Sequence, residues 1–409
     1  MKEKVIISGI GIYCPIGKNV DALNDALISA HHGFEEVTEF DTSTYRNTYA
    51  GVVRGFDESR SKTGVRSNLL IRPSVEQALN DSGLLESDID RSRVSISIGT
   101  SIAGYGGFVD SLFKEDYAKR NEEYPSLLNS KIQLNHDETI LNIPGPLLAT
   151  EIAKEYGISG VLSSSVTACS ASGNAMALAV DTIRSGLADA VIVASVDPLS
   201  ELTYMGFHTI RAMSQKMPKP LDKNRDGLLI GEGSACFILE SESHLIKRGG
   251  KGYAEIAGYG LSNDAYHATQ PHPNGEGAVV AMKEALREAG LSPEDIQYIN
   301  MHGTGTKHND NAELKAIQRI FKDSLRNIPI SSSKSLLGHA LGAAGSIEGV
   351  ICVTAMNHGF IPPSINFEEH IDGVEYQVAT KDTDHKELNV VMNNSFGFGG
   401  NGASFIFRK

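Results

Sequence analysis

The second half of this chain repeats a pattern from the first, and a chain built of two copies of one unit must pack the copies against each other. Gly231-Glu-Gly-Ser-Ala-Cys-Phe-Ile-Leu239 returns as Gly400-Asn-Gly-Ala-Ser-Phe-Ile-Phe407. Ser163-Ser-Ser165 ahead of Cys169 returns as Ser331-Ser-Ser333 ahead of His339. In each copy a strand, a Ser-rich turn and a helix lead to another buried strand and a Gly-x-Gly turn into a last strand. Short β-branched runs predict strands at 4–8, 94–98, 161–166, 190–195, 235–239, 254–258, 296–301, 328–332, 389–393 and 403–407. Apolar residues at i, i+3, i+4 spacing predict helices at 20–30, 74–82, 145–156, 172–185, 275–288, 310–321 and 342–357. Continuous rather than alternating strands between helices imply sheets covered on both faces, hence an α/β fold. Gly249-Gly-Lys-Gly252 is the most linker-like stretch, which divides the chain into 1–250 and 251–409. The polar segment 108–139 has no counterpart in the second copy and reads as an insertion or cap.

Composition narrows the class. With 409 residues, 41% hydrophobic and 21% charged, the chain has the make-up of an ordinary globular protein of two or three domain-sized units. A net charge of −13 argues against nucleic-acid binding, which needs clustered Lys and Arg. No apolar run reaches the ~18 residues that span a bilayer. Four scattered cysteines form neither a metal pattern nor a disulfide framework. The opening Met-Lys-Glu-Lys runs straight into a strand with no signal core, so the expectation is a cytoplasmic, membrane-independent protein.

Three motifs are set aside. Gly9-Ile-Gly-Ile-Tyr-Cys14 begins like a dinucleotide fingerprint, but its third glycine position holds Cys14 and Pro15 follows, so it reads as a strand-to-helix turn. Asp222-x-Asn-x-Asp226-Gly227 starts like a calcium loop and lacks the carboxylate at position twelve, which is Gly233, so it reads as a side-chain-bonded turn. Asn393-Asn-Ser395 is a glycosylation triplet without an export signal.

Cys169 differs. It stands between a buried strand and the small-residue helix that begins Ser170-Ala-Ser-Gly-Asn-Ala, where a helix N-terminus favours thiolate and its free N–H groups stabilise a nearby oxyanion. Cys236 and Cys352 read instead as small buried core residues. His302 in Asn300-Met-His-Gly-Thr-Gly-Thr306 and His339 in Lys334-Ser-Leu-Leu-Gly-His339 lie at equivalent strand-end turns. A fourth turn, Asn394-Ser-Phe-Gly-Phe-Gly-Gly-Asn401, also follows a buried strand, and its glycines allow close backbone approach to a ligand. Reactive side chains at several strand ends of a duplicated α/β fold point to one convergent site.

At these residues the chain resembles the elongating β-ketoacyl-acyl-carrier-protein synthases, the Cys-His-His condensing enzymes of the thiolase superfamily. The resemblance runs from Val5-Ile-Ile-Ser-Gly to Phe405-Ile-Phe407 and includes Thr167-Ala-Cys169, Arg211-Ala-Met-Ser214, Asn263-Asp-Ala-Tyr-His267 and the motifs around both histidines. It implies a thiolase fold whose two halves form five layers, α-β-α-β-α. It implies decarboxylative condensation of an acyl group carried on Cys169 with malonyl-acyl carrier protein, with His302 and His339 holding and decarboxylating the malonyl thioester. Lys334, supported by Glu348, would tune the histidines. The amides of Cys169 and Phe398 would form the oxyanion hole, and Phe398, flanked by Phe396 and Gly399, would gate access. Thr304 and Thr306 would bond the phosphopantetheine arm, and Ile102 would lie at the acyl pocket. No resident cofactor or metal is implied, because phosphopantetheine arrives on the carrier. Two imidazole donors suit an enolate without a metal. The family's thiolases use a second cysteine instead, and its initiating synthases use His and Asn. A non-catalytic chain-length partner would lack Cys169, as would a decarboxylase that never condenses.

The resemblance also implies an acyl carrier protein as partner and a homodimer, with a heterodimer containing a ketosynthase-like subunit as the alternative. Pairing is expected through Ala190–Ser195, whose Val-Ile-Val run is too apolar for an exposed edge. An acidic carrier needs a basic rim, for which Lys62, Arg66, Arg211 and Lys216 are the candidates. Ser101, Ser172, Leu221, the pair Ser67-Asn68 after Arg66, and Lys307-His308-Asn309 depart from the family's usual pattern, which leaves the pathway open between fatty-acid elongation and a type II polyketide or polyene route.

Overall fold

A computed structural model of the chain describes residues 2–57, 66–102, 145–383 and 386–409. The segment 108–139 and Lys62 lie outside the described residues. Among the described residues the strands are β1 (Val5–Tyr13), β2 (Phe34–Glu36), β3 (Tyr49–Gly51), β4 (Val94–Gly99), β5 (Leu162–Ser165), β6 (Ala190–Asp197), β7 (Gly233–Ser241), β8 (Ala254–Asn263), β9 (Tyr298–Asn300), β10 (Pro329–Ser331), β11 (Gln377–Val378), β12 (Val390–Phe396) and β13 (Asn401–Arg408). Apart from the small β2-β3 hairpin, they form one sheet ordered β11-β10-β9-β12-β13-β8-β1-β7-β6-β4-β5.

The repeat read from the sequence is visible in this order. Outward from β1 the first copy runs β1-β7-β6-β4-β5, and outward from β8 the second runs β8-β13-β12-β9-β10. Each copy has parallel inner pairs, β4 with β5 and β6, and β9 with β10 and β12. Each closes with an antiparallel run, β6-β7-β1 and β12-β13-β8. The two copies meet edge to edge only where Ile6 and Ile7 of β1 face Glu255 and Ala254 of β8.

Between the copies lie two helices, Ala171–Arg184 and Ala344–His358, which contact each other and strands of both copies. The second is buried from Ala344 to Met356, its Ser346, Glu348 and Thr354 included, as a largely apolar helix packed on all sides must be. Helices Arg66–Ser82 and Gly145–Tyr156 cover the far side of the first copy, and Glu276–Ala289 and Lys307–Phe321 cover that of the second. This is the five-layered arrangement. Ser172 joins the central pair, its hydroxyl accepting from the Ser346 amide at 3.1 Å.

Two readings are corrected. Gly9 and Gly11 sit within β1, not in a turn: a Cβ on Gly9 would come 2.3 Å from the Ala78 carbonyl oxygen and one on Gly11 1.9 Å from that of Ser74, so the two glycines let helix Arg66–Ser82 lie against the strand. That helix also starts before the sequence reading placed it, running through Pro73. The second correction concerns Ala190–Ser195. It belongs to β6, which is hydrogen-bonded to β4 on one side and β7 on the other, so its apolar run is covered inside the protomer and cannot pair subunits. The free edge of the first copy, among the described residues, is β5. Around it Val161, Leu162 and Val166 are exposed at 48%, 41% and 60%, so this edge presents apolar side chains beside its free backbone groups. Among the described residues no helix is long and apolar enough to cross a membrane.

Candidate active site

β5 delivers the nucleophile. The chain leaves it through Thr167 into Ala168, which holds φ +49°, and Cys169 then sits in a tight turn directly before helix Ala171–Arg184. A left-handed alanine persists only where its surroundings over-determine it. Here Ser170 Oγ donates to the Thr167 carbonyl at 2.9 Å, and Asn174 Nδ2 donates to Thr167 Oγ1 at 3.0 Å and to the Ser170 carbonyl at 3.1 Å. Ser395 at the end of β12 donates its hydroxyl to the Cys169 carbonyl at 2.8 Å. The fourth turn then crosses over the nucleophile so closely that a Cβ on Gly397 would lie 2.9 Å from the Cys169 nitrogen.

The second copy supplies both histidines. His339 follows β10 and a short helix, with its amide donating to the Leu229 carbonyl at 2.8 Å and its carbonyl accepting from the Gly231 amide at 3.0 Å. Its Nε2 is 3.1 Å from Cys169 Sγ. His302 follows β9; its ring packs edge-on against that of His339 with centroids 5.2 Å apart. Ligand-type atoms of all three residues lie within 4.8 Å of one another, and all three side chains are buried. That set is chemically able to take a soft metal ion, although the nearby Lys334 ammonium opposes one.

Glu313 was not legible as part of this site. From helix Lys307–Phe321 its carboxylate accepts from the His302 amide at 2.9 Å and the Gly303 amide at 3.0 Å, fixing the turn that carries His302. The only available signal was an acidic residue on the apolar stripe Ala312, Ala316, Ile317 of that helix. Lys334, 2% exposed, pairs with Glu348 on the central helix.

Burial dominates the electrostatics. It holds both imidazoles well below the ordinary histidine range, with the Lys334 ammonium pushing the same way, so both rings are neutral at physiological pH. Burial also pushes the Cys169 thiol up to about 12, against the opposing pull of Lys334 and of the Phe398 and Cys169 amides. Burial is the largest of these influences, and the resting pair is a thiol against a neutral imidazole whose Nε2 is placed to take the proton.

A pH dependence follows. Because the folded histidines titrate below their unfolded value near 6.5, catalysis by neutral rings is complete at and above that pH. As pH falls below it the unfolded chain binds more protons than the folded one, so stability declines with acid. Steady-state decarboxylation rates are expected to stay level from pH 8 down to about 6.5, and a histidine-like inflection within that range would contradict buried neutral rings.

The three side chains open into a cavity of about 440 Å³ that Thr304, Thr306, Phe396 and Phe398 also line. Thr304 and Thr306 Oγ1 atoms are 2.9 Å apart, and the Phe398 ring stacks on Phe207 with centroids 5.5 Å apart. Phe207 comes from helix Glu201–Thr209, which the periodicity reading missed although Ser200 caps it. Gly399, at φ +75°, ties the turn to the Ala268 carbonyl through its amide at 2.8 Å. Lys334, Glu348, Gly399 and Ile102 do not line this cavity: Lys334 and Glu348 are buried, Gly399 is exposed, and the Ile102 amide donates to Asp197.

Of the basic candidates, Arg211 is exposed and lines the mouth, joined there by Lys307 and His308, while Lys216 is exposed but lies outside the lining. Arg66 is a correction. Its Nε donates to the fully buried Glu232 at 2.6 Å, its Nη2 makes a second contact with the same carboxylate, and its guanidinium lies 4.8 Å over the Phe56 ring. Glu232 also accepts from the Val53 and Leu199 amides, so Arg66 is the counter-ion of a buried carboxylate and not a docking charge. Arg66→Ala should therefore destabilise the protein by about 3 kcal/mol, the usual result of orphaning one member of a buried pair, and a denaturation midpoint equal to wild type would refute this.

Residues 2–244 match the family described as β-ketoacyl synthase, N-terminal domain, and residues 253–368 match β-ketoacyl synthase, C-terminal domain. The chain belongs to the β-ketoacyl synthase family. It is 35% identical to 3-oxoacyl-[acyl-carrier-protein] synthase 2 of Coxiella burnetii, a match covering 100% of this chain and 99% of the relative. It is 32% identical to the tetracenomycin polyketide synthase ketoacyl synthase alpha subunit of Streptomyces glaucescens, covering 98% and 95%. Among solved structures, the ishigamide ketosynthase/chain length factor superposes with a TM-score of 0.89 at 29% identity, covering 100% of both chains. The ketosynthase ApeO in complex with its chain length factor ApeC from Xenorhabdus doucetiae gives 0.85 at 30%, covering 99% and 98%. The β-ketoacyl synthase motifs thus span the fold as well as the site.

Proposed function

We propose that the protein condenses an acyl thioester with malonyl-acyl carrier protein, releasing CO₂ and 3-oxoacyl-acyl carrier protein. The observation that carries this reading is Cys169 Sγ 3.1 Å from His339 Nε2 with His302 packed against the same ring. His339 takes the thiol proton as Cys169 attacks the acyl carbonyl, and the amides of Cys169 and Phe398 hold the resulting oxyanion. Collapse expels the pantetheine thiolate, which recovers the proton, and leaves the acyl group on Cys169. The malonyl thioester then enters between the histidines. As its carboxylate leaves as CO₂, charge moves onto the thioester oxygen, where the N–H of His302 stabilises the enolate, joined by His339 once its ring has shifted its proton from Nδ1 to Nε2. The enolate carbon attacks the acyl group on Cys169, the oxyanion hole is used again, and Cys169 departs to be reprotonated. Burial keeps both rings neutral, and the Lys334 ammonium, paired with Glu348, adds to it. Two imidazoles do the work of a Lewis acid, so the scheme calls for no resident cofactor. Thr304 and Thr306 offer hydroxyls to the phosphopantetheine arm, and Arg211, Lys307 and His308 give an acidic carrier a basic mouth.

Fatty-acid elongation is the pathway that the likeness to the Coxiella burnetii synthase supports. The likeness to ketosynthase/chain length factor structures supports the second reading, a type II polyketide or polyene ketosynthase working beside such a partner. Either role suits the cytoplasm, where a nucleophilic thiol stays reduced. Reconstitution with malonyl-acyl carrier protein and acyl donors of graded length, with mass spectrometry of intact protein and product, tests the proposal. An acyl adduct on Cys169 and a 3-oxoacyl product are expected; absence of the adduct with every donor would sink it.

Subunit pairing belongs to β5. Two copies joined antiparallel along this edge would cover Val161, Leu162 and Val166 and run the sheet across a two-fold axis. Leu162→Asp with Val166→Asp should shift the protein to monomer in light scattering, with activity falling because the same strand leads into the Cys169 turn. A double variant that stays dimeric would place the interface elsewhere.

A further inference from the structure

Asp197 has no part in the chemistry above and does not line the cavity, yet it is fully buried at the end of β6 and saturated with donors. Its Oδ1 accepts from Thr100 Oγ1 at 2.7 Å, the Ser101 amide at 3.0 Å and the Ile102 amide at 3.1 Å. Its Oδ2 accepts from the Ser101 amide at 2.9 Å and from the Gly342 amide at 2.6 Å. The first group closes the end of β4 in the first copy. The last belongs to the turn three residues beyond His339 in the second.

Two features show that this turn is held rather than merely touched. Leu341, between His339 and Gly342, sits at φ +49°, a conformation that a leucine keeps only under constraint. A Cβ on Gly342 would come 2.6 Å from the Ser101 nitrogen and 2.8 Å from Asp197 Oδ2, so the turn is seated hard on the carboxylate. On its other side His339 is pinned by Leu229 and Gly231. A buried carboxylate is costly unless its lone pairs are filled, and here they are filled by the Thr100 hydroxyl and backbone amides at the end of β4 and by an amide of the turn after His339, from different copies.

We infer that Asp197 is a positioning residue: it clamps the Leu341-Gly342 turn to the end of β4 and thereby keeps His339 Nε2 in reach of Cys169 Sγ. The inference rests on the reading of His339 as the base for Cys169. Asparagine at this position would turn an N–H toward donors that require an acceptor, releasing the clamp with almost no change in volume.

The test reads the nucleophile directly. The rate of Cys169 alkylation by iodoacetamide is measured by mass spectrometry on the intact protein, alongside thermal midpoints. Asp197→Asn is expected to slow alkylation about 10- to 100-fold, the range for a misplacement near 1 Å, and to add nothing when combined with His339→Ala, since both act on one contact. Thr100→Val, which removes an Asp197 donor but not the Gly342 bond, should alkylate at the wild-type rate. Should Asp197→Asn fail to fold, Gly342→Ala disturbs the clamp with the carboxylate in place and should slow alkylation likewise. Wild-type alkylation in both clamp variants, full additivity with His339→Ala, or an equal loss in Thr100→Val would overturn the inference. Loss of condensation in every assay of the wild-type protein, with the alkylation pattern intact, would count against the proposed function and leave the clamp standing.

Discussion

Cys169→Ala is expected to reduce condensation by ~10³-fold or more while malonyl decarboxylation remains measurable. The variant removes the only atom that can hold the acyl group, so no intermediate exists for the enolate to attack. It leaves untouched the two imidazoles proposed to meet the malonyl thioester, the Lys334–Glu348 pair beside them and the turn fixed by Glu313. Loss of an interaction made only along the reaction path should appear in kcat rather than as a raised KM. The measurement is release of labelled CO₂ beside product formation. If the variant condenses at the wild-type rate, Cys169 is not the nucleophile, and if decarboxylation disappears as well, the two half-reactions are not separable in the way the geometry indicates.

The two histidines are expected to fail differently. His302→Ala should lower decarboxylation by ~10²–10³-fold, the effect of deleting one donor to a developing oxyanion, yet leave transfer of an acyl group to Cys169 near wild type. His339→Ala should lower decarboxylation to the same degree and acyl transfer too, by ~10²–10⁴-fold, the range for a general base. The difference rests on one distance and one environment: only His339 stands 3.1 Å from Sγ, and the thiol is buried strongly enough to need a base. A helix N-terminus sufficient to ionise Cys169 would make the two variants equivalent in acyl transfer. Trapping the acyl-enzyme at short times and weighing the intact protein separates these outcomes. Normal acylation of His339→Ala would show that the helix terminus and Lys334 activate the thiol without it.

What could be read from the amino acids followed the range of the interaction. Strand and helix periodicity is local, and it located Val94–Gly99, Ala190–Asp197 and Ala344–His358 to within a few residues. The repeated Gly-x-Gly and Ser-rich turns made the duplication visible, and with it Cys169, His302 and His339 as neighbours. Pairings that depend on register were not legible. An apolar run such as Val191-Ile-Val193 reads the same whether a strand's second neighbour belongs to its own chain or to a partner, while the true edge is the unremarkable Leu162-Ser-Ser-Ser165. Arg66 looked like a surface charge because its partner, Glu232, is 166 residues away. Gly9 and Gly11 looked like a strand-to-helix turn because nothing local announces a helix lying across a strand. Glu313 and Asp197 act through backbone amides, which carry no side-chain signature.

The matching strand orders have a consequence for substitution. Cys169 follows β5 and His339 follows β10, so nucleophile and base occupy the same station in two copies of one topology. A symmetric pair of identical chains could offer only two cysteines or two histidines at those stations. Within a single chain each station can differ, and here it does: a cysteine faces a histidine whose Nε2 lies 3.1 Å from its Sγ. A substitution at one station therefore imposes no matching change at the other, as it would in a symmetric pair of identical chains.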